Sequence, residues 1–199
     1  MGKMSRHEYV LTITGLGILT AMVIALQYLG GFIRFGQFSI SLVLIPIVIG
    51  AALYGPFAGA YLGLVFAVAV FITGDANTFM ALNPFGTIVT VILKGMLAGF
   101  LAGLFYRLIE KKSSVVATIV AAVVCPVVNT TVFLIGCRLF FYETVASWGA
   151  SSGFTNTFVY MMVGFVGLNF LFELLTNVIL SPVIVRIITL IRKRGQLTK

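Results

Sequence analysis

Long apolar runs, separated by short polar or glycine- and proline-rich stretches, cover nearly the whole chain. Most of these runs approach the roughly 20 residues that an α-helix needs to cross the hydrocarbon core of a bilayer. The turn Tyr54-Gly55-Pro56 divides two of them, because glycine ends and proline begins helices readily. The pattern predicts six helices, at about residues 9–29, 40–53, 57–72, 84–107, 115–142 and 157–191.

The predicted connections differ in length and in charge. Residues 30–39, 74–83 and 143–156 form the longer connections, and the first of these alternates polar and apolar residues around Arg34, which is typical of an ordered loop or a short hairpin. Lysines and arginines concentrate at the opposite ends of the spans and near both termini. The positive-inside rule therefore predicts that both termini are cytoplasmic and that the longer connections face outward.

Composition agrees with a membrane protein. Of the 199 residues, 60% are hydrophobic and only 9% are charged, whereas about 25% are charged in a soluble domain. The mean hydropathy is +1.15. We therefore expect a single integral membrane domain over residues 1–199, all-α in fold. The net charge of +8 belongs to residues flanking the spans, so it indicates orientation in a lipid bilayer and no nucleic-acid partner.

Few residues are suited to covalent chemistry. The single histidine, His7, lies outside every predicted span, and Cys125 and Cys137 lie in one apolar segment, as small core residues do. The chain contains no phosphate-binding loop and no metalloprotease or hydrolase motif. We expect neither an enzyme nor a metal or cofactor site. The chain cannot hydrolyse ATP, so any pumping must take its energy from a partner.

Lys94 lies in the middle of the fourth predicted helix. A charge at that depth costs roughly 2.5–3.5 kcal/mol on insertion scales and persists where it faces a bundle interior, a partner or water. Thr87 and Asn83 lie near the same helical face, so this helix carries one polar stripe. Asn83, Thr87 and Lys94 are therefore candidate substrate-binding residues.

Two further helices carry polar residues at similar depth. At about 1.5 Å per residue, Lys94 lies about 15 Å below the outer face and Asn169 about 18 Å, and the depth of Asn129 overlaps with theirs. The three stripes, the last of which contains both Asn169 and Glu173, would then converge on one substrate-binding cavity in the outer half of the membrane. Glu173 lies about 9 Å deeper than Lys94 by the same count, so the two pair directly only if the helices are staggered.

Several residues have two interpretations. Lys94 either pairs with Glu173 or contacts an anionic or polar ligand. Asn129 and Asn169 either form interhelical hydrogen bonds or contact the ligand. Arg138 either extends to the interface or faces the pocket. Trp148 is either an interfacial anchor or, with Arg34, part of a gate that covers the substrate.

Small residues indicate two close helix contacts. Gly95, Gly99 and Gly103 form a doubled GxxxG pattern that allows another helix to approach closely. Gly17, Ala21 and Ala25 form a face of small residues on the first predicted helix. Such a face suits either docking of a partner or packing within the bundle.

The chain resembles the substrate-binding subunit, or S component, of energy-coupling-factor (ECF) vitamin transporters. The resemblance rests on the AxxxA of the first helix, on FGQFSISLVLIPIVIGAALYGPFAGAYLGLVFAV, and on ALNPFGTIVTVILKGMLAGFLAGLFYRL. It implies a six-helix bundle in a bacterial plasma membrane that captures a vitamin from outside. It also implies that the first helix docks, through Gly17, Ala21 and Ala25, on a transmembrane coupling subunit that joins two cytoplasmic ATPases.

Within that family the chain looks most like the group that contains pantothenate- and riboflavin-type members. We favour pantothenate because Lys94 would meet its carboxylate. Riboflavin, folate, pyridoxine and a queuosine precursor are alternatives, as is a scaffold of similar fold that transports nothing.

Overall fold

The computed structural model describes residues 6–30, 34–35, 38–39 and 42–197, and it is almost entirely helical. Its elements are α1 (Arg6–Gly30), β1 (Arg34–Phe35), β2 (Phe38–Ser39), α2 (Leu44–Tyr54), α3 (Pro56–Thr73), α4 (Asn77–Leu82), α5 (Pro84–Ile109), α6 (Ser114–Phe140), α7 (Tyr142–Ser151), α8 (Thr157–Val159), a π-helical segment (Tyr160–Phe165) and α9 (Gly167–Leu197).

Five helices, α1, α3, α5, α6 and α9, are long and apolar enough to cross a membrane. The sixth, α2, has 11 residues and is about 16 Å long at 1.5 Å per residue. Large apolar side chains such as Phe57, Leu139 and Ile179 are exposed on the outside of the bundle. A bilayer would cover such a surface, and the predicted all-α membrane bundle is confirmed.

The short helix α2 lies at the centre of the bundle and contacts all five long helices. Leu44, Ile47, Val48 and Ala51 have no exposed surface. A helix that is apolar on every side is stable where other helices surround it. The central position of α2 thus follows from its composition.

Glycines bring α3 and α5 into close contact. A Cβ atom on Gly59 would collide with the backbone of Gly99, and one on Gly63 would collide with the backbone of Gly95. This is the contact that the glycine pattern of the fourth predicted helix indicated. It fixes the position of α5 relative to α3 at Gly95, the residue that follows Lys94 in the chain.

Two of the connections predicted as loops contain helices. Residues 74–83 include α4, and residues 143–156 include most of α7. Both predictions were wrong because one apolar face stabilises each segment: Phe79 of α4 is buried, and Val145 and Gly149 of α7 are buried. Phe141, with a φ of −134°, separates α6 from α7, so the fifth predicted helix ends at residue 140 and not at 142.

The sixth predicted helix begins with an irregular, π-helical segment and continues through a proline. The π-helical segment follows α8 and leads into α9, a geometry that is rare and often found at functional sites. Pro182 lies inside α9, which continues to Leu197. Proline cannot donate to the carbonyl of Val178, but the hydroxyl of Ser181 does so at 2.7 Å, which offsets the lost backbone hydrogen bond.

The connection after α1 is described only in part. Arg34 pairs with Ser39 and Phe35 with Phe38 in an antiparallel arrangement. Of the two structures expected for this stretch, the short hairpin is the one found.

Candidate functional site

A cavity of about 90 Å³ lies at one end of the bundle, which is room for several water molecules or a small polar molecule. The ends of α1, α3 and α6 meet the starts of α5 and α9 here, so side chains far apart in sequence come together. Apolar residues, mainly phenylalanine and valine, form much of the wall. The polar lining residues are Gln27, Asp75, Thr87, Thr90, Lys94, Asn129, Thr130, Asn169 and Glu173.

The ammonium group of Lys94 lies between two phenylalanine rings. Its Nζ atom is 5.6 Å from the ring centre of Phe66 on α3 and 5.2 Å from that of Phe133 on α6. Both distances are within the range of a cation–π interaction. Within the part of the chain that the structure describes, no carboxylate oxygen lies within 4.0 Å of Lys94 Nζ, so the lysine forms no ion pair there. Lys94 and Glu173 line the same cavity without pairing directly.

Glu173 is held by the residues around it on α9. It is 3% exposed, and the Nδ2 atom of Asn169, one turn earlier, donates to its Oε1 atom at 3.1 Å. Asn177, one turn later, donates to its backbone oxygen at 2.8 Å. The spacing of four residues places these amides above and below the carboxylate on one helix face. The carboxylate is therefore oriented before any ligand arrives.

The hydrogen bonds of Gln27 close the side of the cavity formed by α1 and α3. Its Nε2 atom donates to the carboxylate of Asp75 at 2.6 Å and to the hydroxyl of Thr73 at 3.3 Å. Gln27 is buried, at 3% exposure. A charge-assisted hydrogen bond of this kind is strong, so it ties the end of α1 to the turn between α3 and α4.

Aromatic rings cover another part of the cavity. Phe79 of α4 packs edge-on against Phe133 and Phe141, with ring centres 5.7 and 5.0 Å apart. The rings of Trp148 and Phe165 also contact Phe79, at 6.0 and 6.3 Å. Edge-to-face pairs at these distances are favourable beyond the area that they bury. Phe79 thus links the two short helices α4 and α7 to the bundle.

The structure brings five of the predicted substrate-binding residues together in this cavity: Thr87 and Lys94 on α5, Asn129 on α6, and Asn169 and Glu173 on α9. The convergence of three polar stripes is thus present in the fold. That these side chains bind a substrate stays a prediction.

The other predicted substrate-binding residues lie elsewhere. Asn83 caps α5, where its Oδ1 atom accepts from the backbone nitrogen of Gly86 at 2.9 Å. Trp148 packs on Phe79 and does not itself line the cavity. Arg34 lies on β1, and its side chain is outside the described part of the structure. Arg138 is exposed and stacks on Tyr142 at 4.0 Å, which matches the interfacial interpretation.

The predicted docking face of α1 is exposed. Gly17, Ala21 and Ala25 all lie on the surface of the bundle, and a Cβ atom on Gly17 would meet no atom within 4 Å. Packing against the other described helices therefore does not account for this stripe of small residues.

Sequence reasoning missed several lining residues. Gln27 is the only amide side chain in the first predicted helix, and Asp75 is one of just five acidic residues in the chain. Their rarity in apolar surroundings was a usable signal. Phe66, Phe79 and Phe133 offered none, because phenylalanine is frequent throughout the chain.

The fold and the cavity together define a class: a membrane-embedded helical bundle with a cavity at one end that polar and apolar side chains line together. The family model "ECF transporter, substrate-specific component" matches residues 12–185. The chain therefore belongs to this family, whose members are transporter components and not enzymes. No curated protein and no solved structure matches the chain.

Proposed function

We propose that the chain captures a small vitamin or related metabolite, with pantothenate as its substrate, from outside a bacterial cell. It delivers the substrate with a transmembrane coupling subunit and two cytoplasmic ATPases. The chain itself needs no cofactor, because the ATPases supply the energy. The concentration of lysines and arginines at the end of the bundle opposite the cavity supports outward-facing capture and cytoplasmic termini.

The observation that carries the proposal is the cavity itself. Polar side chains within a membrane bundle are costly, and those that persist there mark binding sites or pathways. Here Lys94, Asn129, Asn169 and Glu173 come from three helices and line one cavity. With membership of a substrate-specific component family, this supports capture of a ligand at that place.

Two features support pantothenate as the substrate. Lys94 offers a positive charge that no carboxylate of the described residues neutralises directly. The cavity volume of about 90 Å³ suits a small, flexible ligand better than the large ring systems of riboflavin or folate. Pyridoxine and a queuosine precursor are also small, but neither carries a carboxylate for Lys94.

The exposed face of α1 supports the proposed partner. Gly17, Ala21 and Ala25 recur every fourth residue and present almost no side chain, so another helix can approach closely. We propose this face as the contact with the coupling subunit.

Binding by the purified chain tests the proposed function. Calorimetry with pantothenate, riboflavin, folate and pyridoxine, and mass spectrometry of co-purified compounds, should each reveal a ligand. Failure of all four vitamins to bind, with no compound recovered from the protein, would contradict the proposal.

A matched pair of variants locates the binding site. Thr90→Val removes a buried hydroxyl of the cavity wall that has no partner among the described residues. It should weaken binding by about two- to tenfold, the value of one hydrogen bond. Thr189→Val makes the same change on an exposed part of α9 and should leave the dissociation constant unchanged. Equal effects of both changes would place the ligand elsewhere.

A further inference from the structure

We propose that the ligand carries two chemically different kinds of group: an anionic or strongly accepting group that faces Lys94, and at least two O–H or N–H donors that face Glu173, Asn169 and Asn129. This inference rests on the proposed function, since it assumes that the cavity is the capture site. It defines the ligand by the groups that the two walls require.

One wall of the cavity consists of hydrogen-bond acceptors. Glu173 Oε2, Asn169 Oδ1 and Asn129 Oδ1 are buried, and none has a hydrogen-bond partner in the described part of the chain. Glu173 is 3% exposed and Asn129 is 6% exposed, so bulk water does not surround them. Buried polar atoms in folded proteins nearly always have partners. Three such oxygens around one cavity indicate that a bound molecule supplies the donors.

The orientation of the Asn169 amide follows from its neighbour. Its Nδ2 atom donates to Glu173 Oε1, so the carbonyl oxygen of the same amide points to other atoms. Asn129, on α6, lines the same cavity as Glu173. Since carboxylate and amide oxygens only accept hydrogen bonds, these three oxygens cannot satisfy one another.

A second wall, formed by α5, contains a donor without an acceptor. Lys94 carries three N–H groups, and its described neighbours are the rings of Phe66 and Phe133. An aromatic face attracts a cation but replaces an oxygen acceptor only weakly. No described oxygen forms an ion pair or a hydrogen bond with Nζ. A carboxylate or another strong acceptor on the ligand would complete this site.

These two walls exclude simple classes of ligand. A dicarboxylate would bring a second negative group to Glu173, where like charges repel. A hydrophobic monocarboxylate would satisfy Lys94 but leave the three buried oxygens unpaired, which is costly. A small acid with hydroxyl or amino groups at its other end satisfies both walls.

A pair of probes that differ only in their donors tests the inference. Pantothenate carries a carboxylate at one end and two hydroxyls at the other, and N-(3,3-dimethylbutanoyl)-β-alanine has the same skeleton without either hydroxyl. We expect the purified full-length chain to bind the deoxy compound about ten- to hundredfold more weakly, as for hydrogen bonds to a charged group. Equal affinity for the two probes would overturn the inference.

The variant Glu173→Gln tests whether Glu173 accepts hydrogen bonds from the donors of the ligand. It keeps the shape of the side chain and replaces one acceptor oxygen by a donor. Affinity for pantothenate should fall at least tenfold, and affinity for the deoxy compound should change much less. The control Glu143→Gln alters an exposed acid on α7 and should change neither. An equal loss for both probes with Glu173→Gln would show a merely structural role and overturn the assignment.

The identity of the bound compound distinguishes a failure of this inference from a failure of the proposed function. If a compound other than pantothenate co-purifies, mass spectrometry gives its structure. Two or more donors remote from an acidic or accepting group would support the inference. A tightly bound compound without such donors would overturn it and leave the capture function intact. A protein that binds no compound at all would overturn both.

Discussion

Lys94 is stabilised only in part by its neighbours. Cation–π contacts contribute roughly 0.5–2 kcal/mol each, and Lys94 has two, with Phe66 and Phe133. Placing a lysine at the centre of a membrane helix costs roughly 2.5–3.5 kcal/mol. The two rings offset much of this cost, so the charge persists without an ion pair and stays available to a ligand.

Replacement of Lys94 should therefore weaken anionic ligands selectively. We expect Lys94→Met to reduce affinity for pantothenate by about ten- to hundredfold, the value of a charge-assisted hydrogen bond. The affinity for pantothenol, in which an alcohol replaces the carboxylate, should fall much less. Calorimetry on the purified variant measures both affinities.

Lys112→Met is the control, because Lys112 is exposed in the connection between α5 and α6. It should bind pantothenate like the unmodified chain. If Lys94→Met weakened pantothenate and pantothenol equally, the lysine would have a structural role.

At the scale of elements, the contact between α3 and α5 positions the cavity. Four glycines allow the two backbones to touch at Gly59 with Gly99 and at Gly63 with Gly95. The second of these contacts is adjacent to Lys94 in the chain. Because a helix is rigid over a few turns, the distance between Phe66 on α3 and Lys94 on α5 depends on this contact.

A single methyl group should therefore disturb the bundle. Gly99→Ala places a Cβ atom against the backbone of Gly59, and overpacking of this kind costs about 1–3 kcal/mol. The melting temperature in detergent should fall by roughly 2–4 °C per kcal/mol. Thermal unfolding of the purified variant measures the shift.

Gly17→Ala is the matched change on α1, where a Cβ atom meets nothing within 4 Å. It should keep or raise the melting temperature, since alanine favours a helix by about 1 kcal/mol over glycine. An equal decrease for both variants would mean that the close contact between α3 and α5 does not limit stability.

At the scale of the whole molecule, the two candidate binding surfaces are distinct. The cavity lies inside one end of the bundle, whereas Gly17, Ala21 and Ala25 lie on the outside of α1. Gln27 connects them, because it is on the same helix and donates to Asp75 at the cavity. Because Gly17, Ala21 and Ala25 do not line the cavity, the two surfaces should still be separable by mutation.

Bulk on the outside of α1 should prevent docking without affecting capture. We expect Ala21→Trp to bind ligand normally but to lose both uptake into proteoliposomes and co-purification with the coupling subunit, because close helix contact needs small residues. Ile179→Trp adds a similar ring to an exposed position of α9 and should retain both. Loss of ligand binding by Ala21→Trp would show that this face stabilises the bundle itself.

The sequence by itself determined the class of protein, the family and most of the long helices. Hydropathy is summed over about 20 residues, so single unusual residues do not obscure it. Thr87, Lys94, Asn129, Asn169 and Glu173 were recognisable as candidates because polar residues are rare in apolar spans. The short helices α4 and α7 were missed, since only one or two buried residues stabilise each of them.

Only the tertiary structure decided what these candidates contact. Whether Lys94 reaches Glu173 depends on the rotation and stagger of α5 and α9. Counting 1.5 Å per residue gives only the depth of a residue along its own helix, so it predicts neither rotation nor stagger. In the folded bundle, Lys94 contacts two phenylalanine rings, whereas Glu173 accepts a hydrogen bond from Asn169. It also brought Gln27 to Asp75, 48 residues away in the chain. Local pattern selects polar residues, but the arrangement of the helices determines which of them meet.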